Sequence, residues 1–139
     1  MDSRGNDNII YSICTVLHRQ RREVMILKNQ NEGVKREKLG GNGKGSALSF
    51  PVNIPDTNGA FTMTTRLELA PGSSIGYHKH ADNEEVYFIM SGKGLYTEEN
   101  ESAEVTAGDI MLCRRGRSHG IENDGSETLV IGAAIAKRA

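Results

Sequence analysis

The chain has 139 residues, of which 37% are hydrophobic, with sixteen glycines, no tryptophan and a net charge of −1. That length suits one domain with a core of its own, and the near-neutral charge excludes nucleic-acid binding driven by bulk electrostatics. The charge is unevenly placed: residues 1–44 hold nine Lys/Arg against five Asp/Glu, residues 45–139 eight against thirteen.

Ile9 to Leu17 is apolar but interrupted by Ser12 and Thr15, far too short to span a bilayer and readable as an edge strand. Its acidic flank, Met1 to Asn8, is wrong for a secretory signal. The two cysteines, Cys14 and Cys113, show no Cys-x-x-Cys spacing, so a reduced cytoplasmic protein is expected. His18 heads a solvated basic run and is not expected to be a ligand. Arg21-Arg22-Glu23-Val24-Met25 is what a purine-rich ribosome-binding site and spacer would encode if read in frame. Met25 is therefore expected to be a natural start, with residues 1–24 an extension of the reading frame.

A short strand is expected from Met25, then a polar arm or short helix over Asn29 to Lys38. Gly40-Gly-Asn-Gly-Lys-Gly45-Ser is glycine-dense but fails the phosphate-loop pattern, because Gly45 follows Lys44 where Ser or Thr is required. It is expected to be a turn with positive φ, or alternatively a basic lip near a substrate entrance. Ala47 to Ile54 reads as a short edge segment bounded by Pro51 and Pro55, and Asn58-Gly59 as a hairpin turn. Ala60 to Ala70 alternates as a long strand, with Phe61, Met63, Thr65, Leu67 and Leu69 on one face and Arg66 on the other.

The centre of the chain is Gly72 to Gly92. His78 and His80 are two apart, so on a strand both imidazoles point the same way. A turn through Ala81-Asp82-Asn83 brings Glu85 back beside them, and Tyr87 and Ile89 share the face of Glu85. Further on, Glu98 to Glu101 makes an acidic hairpin tip and Ala103 to Thr106 a short strand. Asp109 to Cys113 is the next strand, and the basic turn Arg114-Arg-Gly-Arg117 leads into His119. Asn123-Asp-Gly125 is a tight turn. Thr128 to Ile135 is apolar on both faces, as a buried strand should be. Short strands at regular spacing, with no long helical period, argue for an all-β sandwich or barrel.

Two stretches resemble the paired signature of the cupin superfamily. The first is matched at Gly72, His78, His80, Glu85 and Gly92, the second at Gly108, Gly116, His119 and Asn123. Arg114 stands where proline is usual. The resemblance covers roughly residues 60 to 135 and looks like that of small bacterial oxalate-decarboxylase-like members. It implies a double-stranded β-helix (jelly-roll) over residues 46–139, preceded by an arm and glycine-rich loop over residues 1–45. By the same resemblance His78, His80, Glu85 and His119 are metal ligands.

Three imidazoles and one carboxylate suit a divalent transition metal: Mn or Fe foremost, with Ni, Zn, Co or Cu also compatible. Such a site is net cationic and favours a small oxygen-rich anion, so decarboxylase, dioxygenase or isomerase-type chemistry is expected. A non-catalytic binding or sensor protein and a barrel with a vestigial metal are the alternatives. Candidate supporting residues are Tyr87, Arg66, Tyr77 and Asn123, with Tyr87 and Arg66 assigned catalytic roles. Cys113 is read as a small buried hydrophobe beside the site. The partners expected are a small anionic ligand and a second copy of the chain, with no nucleic acid and no membrane.

Overall fold

A computed structural model describes residues 33–51 and 59–137. The readings placed on Ile9 to Leu17, Met25, His18 and Cys14, and on Asn58 of the Asn58-Gly59 turn, lie outside these residues.

Among the described residues ten strands follow in order: β1 (Val34–Glu37), β2 (Ser46–Pro51), β3 (Phe61–Leu69), β4 (Ser74–Lys79), β5 (Asn83–Ser91), β6 (Lys93–Glu98), β7 (Glu101–Thr106), β8 (Ile110–Cys113), β9 (Ser118–Glu122) and β10 (Leu129–Lys137). A 3-10 turn, Leu39–Gly41, joins β1 to β2. Six strands form one antiparallel sheet in the order β1-β2-β3-β10-β5-β8, and four form a second in the order β4-β9-β6-β7. From β3 to β10 the chain passes repeatedly between the sheets, which is the jelly-roll arrangement expected.

Two expectations are corrected. Val34–Glu37 is not an arm or helix but an edge strand, paired with β2 from Val34↔Ser49 to Glu37↔Ser46. The segment Val-Lys-Arg-Glu lacks an apolar face, so its strand character comes from pairing with β2 rather than from its own pattern. As a result Ser46–Pro51 is no edge segment, because β1 and β3 flank it. Pro51 pairs with Thr65 of β3 but sits beyond the last β1 partner, so on the β1 side its missing N–H costs no ladder bond.

The core lies between the sheets. Leu67 and Leu69 of β3, Tyr87 and Ile89 of β5, and Leu129 and Ile131 of β10 meet Ile75, Tyr96 and Ile121 of the facing sheet, all buried. Each such apolar side chain contributes about 1.5–3 kcal/mol on burial. Strand β10 runs between β3 and β5 at the middle of its sheet, as its apolar composition requires.

The matched glycines Gly72, Gly92, Gly108 and Gly116 all have positive φ. At Gly92 a side chain would also strike the Thr128 carbonyl at 2.6 Å, so both backbone conformation and space require glycine there. Arg114 in place of proline leaves its turn closed, since Arg117 N–H donates to the Arg114 carbonyl at 3.0 Å.

Candidate metal centre

The four expected ligands converge at one point between the sheets. A bulge between Ile75 and His78 interrupts the β4–β9 ladder. Strict alternation would place those two side chains on opposite faces. The extra residue instead turns Tyr77 outward and lets both Ile75 and His78 line the interior cavity. His80 lies one residue past β4, held by its backbone N–H to the Arg117 carbonyl at 2.9 Å. Glu85 comes from β5 in the facing sheet, so the Ala81-Asp82-Asn83 turn crosses between sheets rather than closing a hairpin. His119 stands opposite His78 in the β4–β9 register.

His80 Nε2 lies 3.0 Å from His78 Nε2 and 3.0 Å from His119 Nε2. Glu85 Oε2 is 2.9 Å from His80 Nε2, 3.0 Å from His119 Nε2 and 3.7 Å from His78 Nε2. The four ligand atoms all lie within 4.8 Å of one another. His80, Glu85 and His119 are buried and His78 is partly so.

The donor set fits a metal ion. The Nδ1 atoms of His78 and His80 face acceptors, the Gly76 carbonyl and Asn83 Oδ1, each at 2.7 Å. Nδ1 is thus the protonated nitrogen in each neutral ring, and Nε2 turns its lone pair inward. His119 Nδ1 is 3.1 Å from Tyr96 Oη, whose own proton goes to Glu98 Oε2 at 3.0 Å. In these tautomers three lone pairs and a carboxylate face one another and repel unless a metal ion sits among them or Nε2 protons bridge them. Four of these separations lie near 3.0 Å and that between His78 and Glu85 is 3.7 Å, close enough for one ion to be held by all four side chains.

In the metal-free protein, protons on Nε2 take the place of the ion and donate to Glu85. Burial alone would raise the Glu85 carboxyl, but hydrogen bonds from His119 and His78 and the charge of nearby imidazoles outweigh it and hold the group at about 2. Its hydrogen bond with Glu85 raises the pKa of His78, against the opposing effect of burial. Burial lowers that of His119.

A cavity of about 380 Å³ opens over His78, His80 and Glu85. Tyr87 lines it, fully buried, with its ring stacked on that of His119 at 4.8 Å. Burial, followed by the adjacent Glu85 charge, pushes its phenol well above the ordinary range. Arg66 is not brought to the site. It projects from the outer face of β3, with its guanidinium 4.0 Å from the centre of the Phe50 ring and 3.4 Å from Glu68. Tyr77 lines a separate depression on the outside of the smaller sheet. Asn123 is fully buried but serves its turn, donating to the Leu69 and Glu127 carbonyls and accepting from Gly125 N–H. Three residues that the sequence reading passed over enter instead: Asn83 and Tyr96 behind the histidines, and Arg36 at the cavity wall.

The family model of the Cupin domain matches residues 65–135, half of the chain and all four ligand positions. This chain belongs to the cupin family. Among its relatives, an oxalate-binding protein from Thermotoga maritima is 40% identical over 73 residues, which is 52% of this cupin and 60% of that protein. An uncharacterized protein from Methanocaldococcus jannaschii is 43% identical over 60 residues, 43% of this chain and 48% of that one. The matched stretch therefore spans only about half to three-fifths of these relatives. The crystal structure of a predicted oxalate decarboxylase from Thermotoga maritima superposes on this cupin with a TM-score of 0.77 at 28% identity, covering 82% of this chain and 100% of the other.

Proposed function

We propose that this cupin holds one divalent transition metal, Mn or Fe foremost, through His78, His80, Glu85 and His119, and binds a small oxygen-rich anion beside it. The observation that carries the reading is the convergence of three Nε2 atoms and Glu85 Oε2, four of their separations near 3.0 Å, beside a cavity lined by His78, His80 and Glu85. When bound, the metal would supply Lewis acidity or a redox centre, and a net positive charge that attracts an anion. The protein's own contribution is orientation: Gly76, Asn83 and Tyr96 hold the histidine rings, and Tyr87 covers one face of His119. The oxalate-related relatives support an anionic ligand, and we place decarboxylase, dioxygenase or isomerase-type turnover at this centre.

A non-catalytic binding role has its own support. Beyond the ligands, Arg36 and Tyr87 are the only titratable side chains lining the cavity among the described residues. Neither gives up a proton readily, Arg36 by nature and Tyr87 because burial raises its phenol. Assaying the metal-loaded protein with a panel of small mono- and dicarboxylates, oxalate among them, separates the two. Metal-dependent binding with loss of a bound anion supports the enzyme, and metal-dependent binding without turnover of any supports the binding protein. Anion binding that is indifferent to metal contradicts both.

We also propose a cytoplasmic homodimer. Phe88 and Met90 of β5 and Ile110 and Leu112 of β8 are exposed and share the outer face of the larger sheet, an apolar patch that suits a second copy. Ile110→Glu is expected to halve the mass in solution; a monomeric parent refutes the proposal.

A further inference from the structure

We infer that the ligand of this centre is a carboxylate with an apolar body and a second anionic end, and that Arg36 receives that end. The inference rests on the metal-dependent anion site proposed above. It starts from a mismatch between the cavity and a very small anion. At about 380 Å³ the space would hold roughly a dozen waters, well beyond one six-atom anion. Its walls above the histidines are Leu39, Met63, Leu67, Ile75 and Ile135. An oxalate-sized anion has no apolar surface to lay against them, whereas a short hydrocarbon segment does.

Polarity returns at one point on the wall. Arg36 stands opposite Ala47 in the β1–β2 ladder, and cross-strand partners share a face. Ala47 is buried in the core, so Arg36 is on the side of β1 that faces the cavity, which it lines. Among the described residues it is the only Lys or Arg lining this space, and Glu85 the only carboxylate. The hydroxyls of Ser49 and Thr65 do not compete for a ligand: they bond each other at 3.0 Å, and Thr65 also reaches the Arg66 carbonyl at 3.0 Å. No protein carboxylate pairs with Arg36 among the described residues. A ligand with one carboxylate at the metal, methylenes along the apolar walls and a second carboxylate at Arg36 matches all three parts of the lining.

The test uses the full chain loaded with Mn(II) and calorimetric titration with acetate, hexanoate, adipate and oxalate. Hexanoate should bind at least tenfold more tightly than acetate, since each buried methylene is worth up to about fourfold. Adipate should bind roughly three- to tenfold more tightly than hexanoate, a modest gain because Arg36 lies at an exposed rim. Arg36→Gln should abolish the adipate gain alone, and Arg36→Glu should make adipate the weaker ligand. Both variants should keep the parent's Mn(II) affinity and thermal stability. If oxalate and acetate bind but hexanoate binds no tighter than acetate, or if Arg36→Gln leaves adipate unchanged, the inference is overturned while the metal site stands. If Mn(II) does not bind, or no anion binds in its presence, the underlying proposal has failed instead.

Discussion

Tyr96 sets its hydroxyl 3.1 Å from Nδ1 of His119, and the two side chains sit on neighbouring strands of the smaller sheet. The chain of contacts continues outward: Tyr96 donates to Glu98 Oε2 at 3.0 Å, and Arg117 Nε reaches Glu98 Oε1 at 3.0 Å. A hydrogen bond on the far nitrogen of a ligand histidine fixes the tautomer and makes the near nitrogen more basic.

Tyr96→Phe should therefore weaken metal binding by roughly 10–100-fold while leaving the fold intact. The phenyl ring keeps the packing, and only the partner of His119 Nδ1 is lost, at a cost of about 1–3 kcal/mol for the unpaired buried N–H. Competition with a chromophoric chelator measures the affinity. An unchanged value would show that Tyr96 does no more than pack.

Gly40 bears on His78 in a comparable way. Its φ is +68°, and a side chain there would meet the Gly76 carbonyl at 2.4 Å and His78 Nδ1 at 2.8 Å, the two atoms that bond each other to orient the ring. Gly40→Ala should lose about 1–2 kcal/mol from the left-handed backbone and also reduce metal affinity. Gly41 shares the positive φ but has nothing within 4 Å of its would-be side chain. Gly41→Ala should show the stability loss without the loss of metal. Equal metal affinity in the two variants would refute the packing argument.

For the metal-free protein, Glu85 sets an acid-side pH dependence. Its folded pKa of about 2 lies below the ordinary 4.5. The native state thus binds fewer protons than the unfolded state between those values. The stabilisation is fully present above about pH 4.5 and is lost as pH falls toward 2, on the order of 3 kcal/mol in all. Urea melts of the parent and of Glu85→Gln should differ most near neutrality and converge at low pH. A gap that stays constant down to pH 3 would contradict this.

Cys113 is fully buried opposite Glu85 in the β5–β8 ladder, and burial, with nearby Glu98 and Glu85, pushes its thiol up to about 11. In a Cys14→Ser background, a thiol reagent at pH 8 should find no reactive group in the folded protein and one equivalent after denaturation. Rapid labelling of the folded form would show that β8 opens.

The convergence of the four candidate ligands and the barrel were legible because the signal is local. His78 and His80 are two apart, the motif glycines are forced by positive φ, and β10 announces its central place by being apolar throughout. Tyr96 was not legible, since its contact with His119 depends on the β6–β9 register, which neither strand's pattern specifies. Arg36 was missed for a different reason. Its four-residue strand carries no alternation and exists only because β2 offers an edge. Arg66 was assigned a catalytic role although alternation set it on the face away from Leu67 and Leu69; the apolar face is the one that points into the barrel.

Elemental analysis of protein purified without added metal, beside a His119→Ala variant of verified fold, decides whether His78, His80, Glu85 and His119 hold a metal. About one equivalent of a transition metal is expected in the parent and little in the variant. No metal in the parent even after incubation with Mn(II) or Fe(II), or equal retention by the variant, would rule the site out.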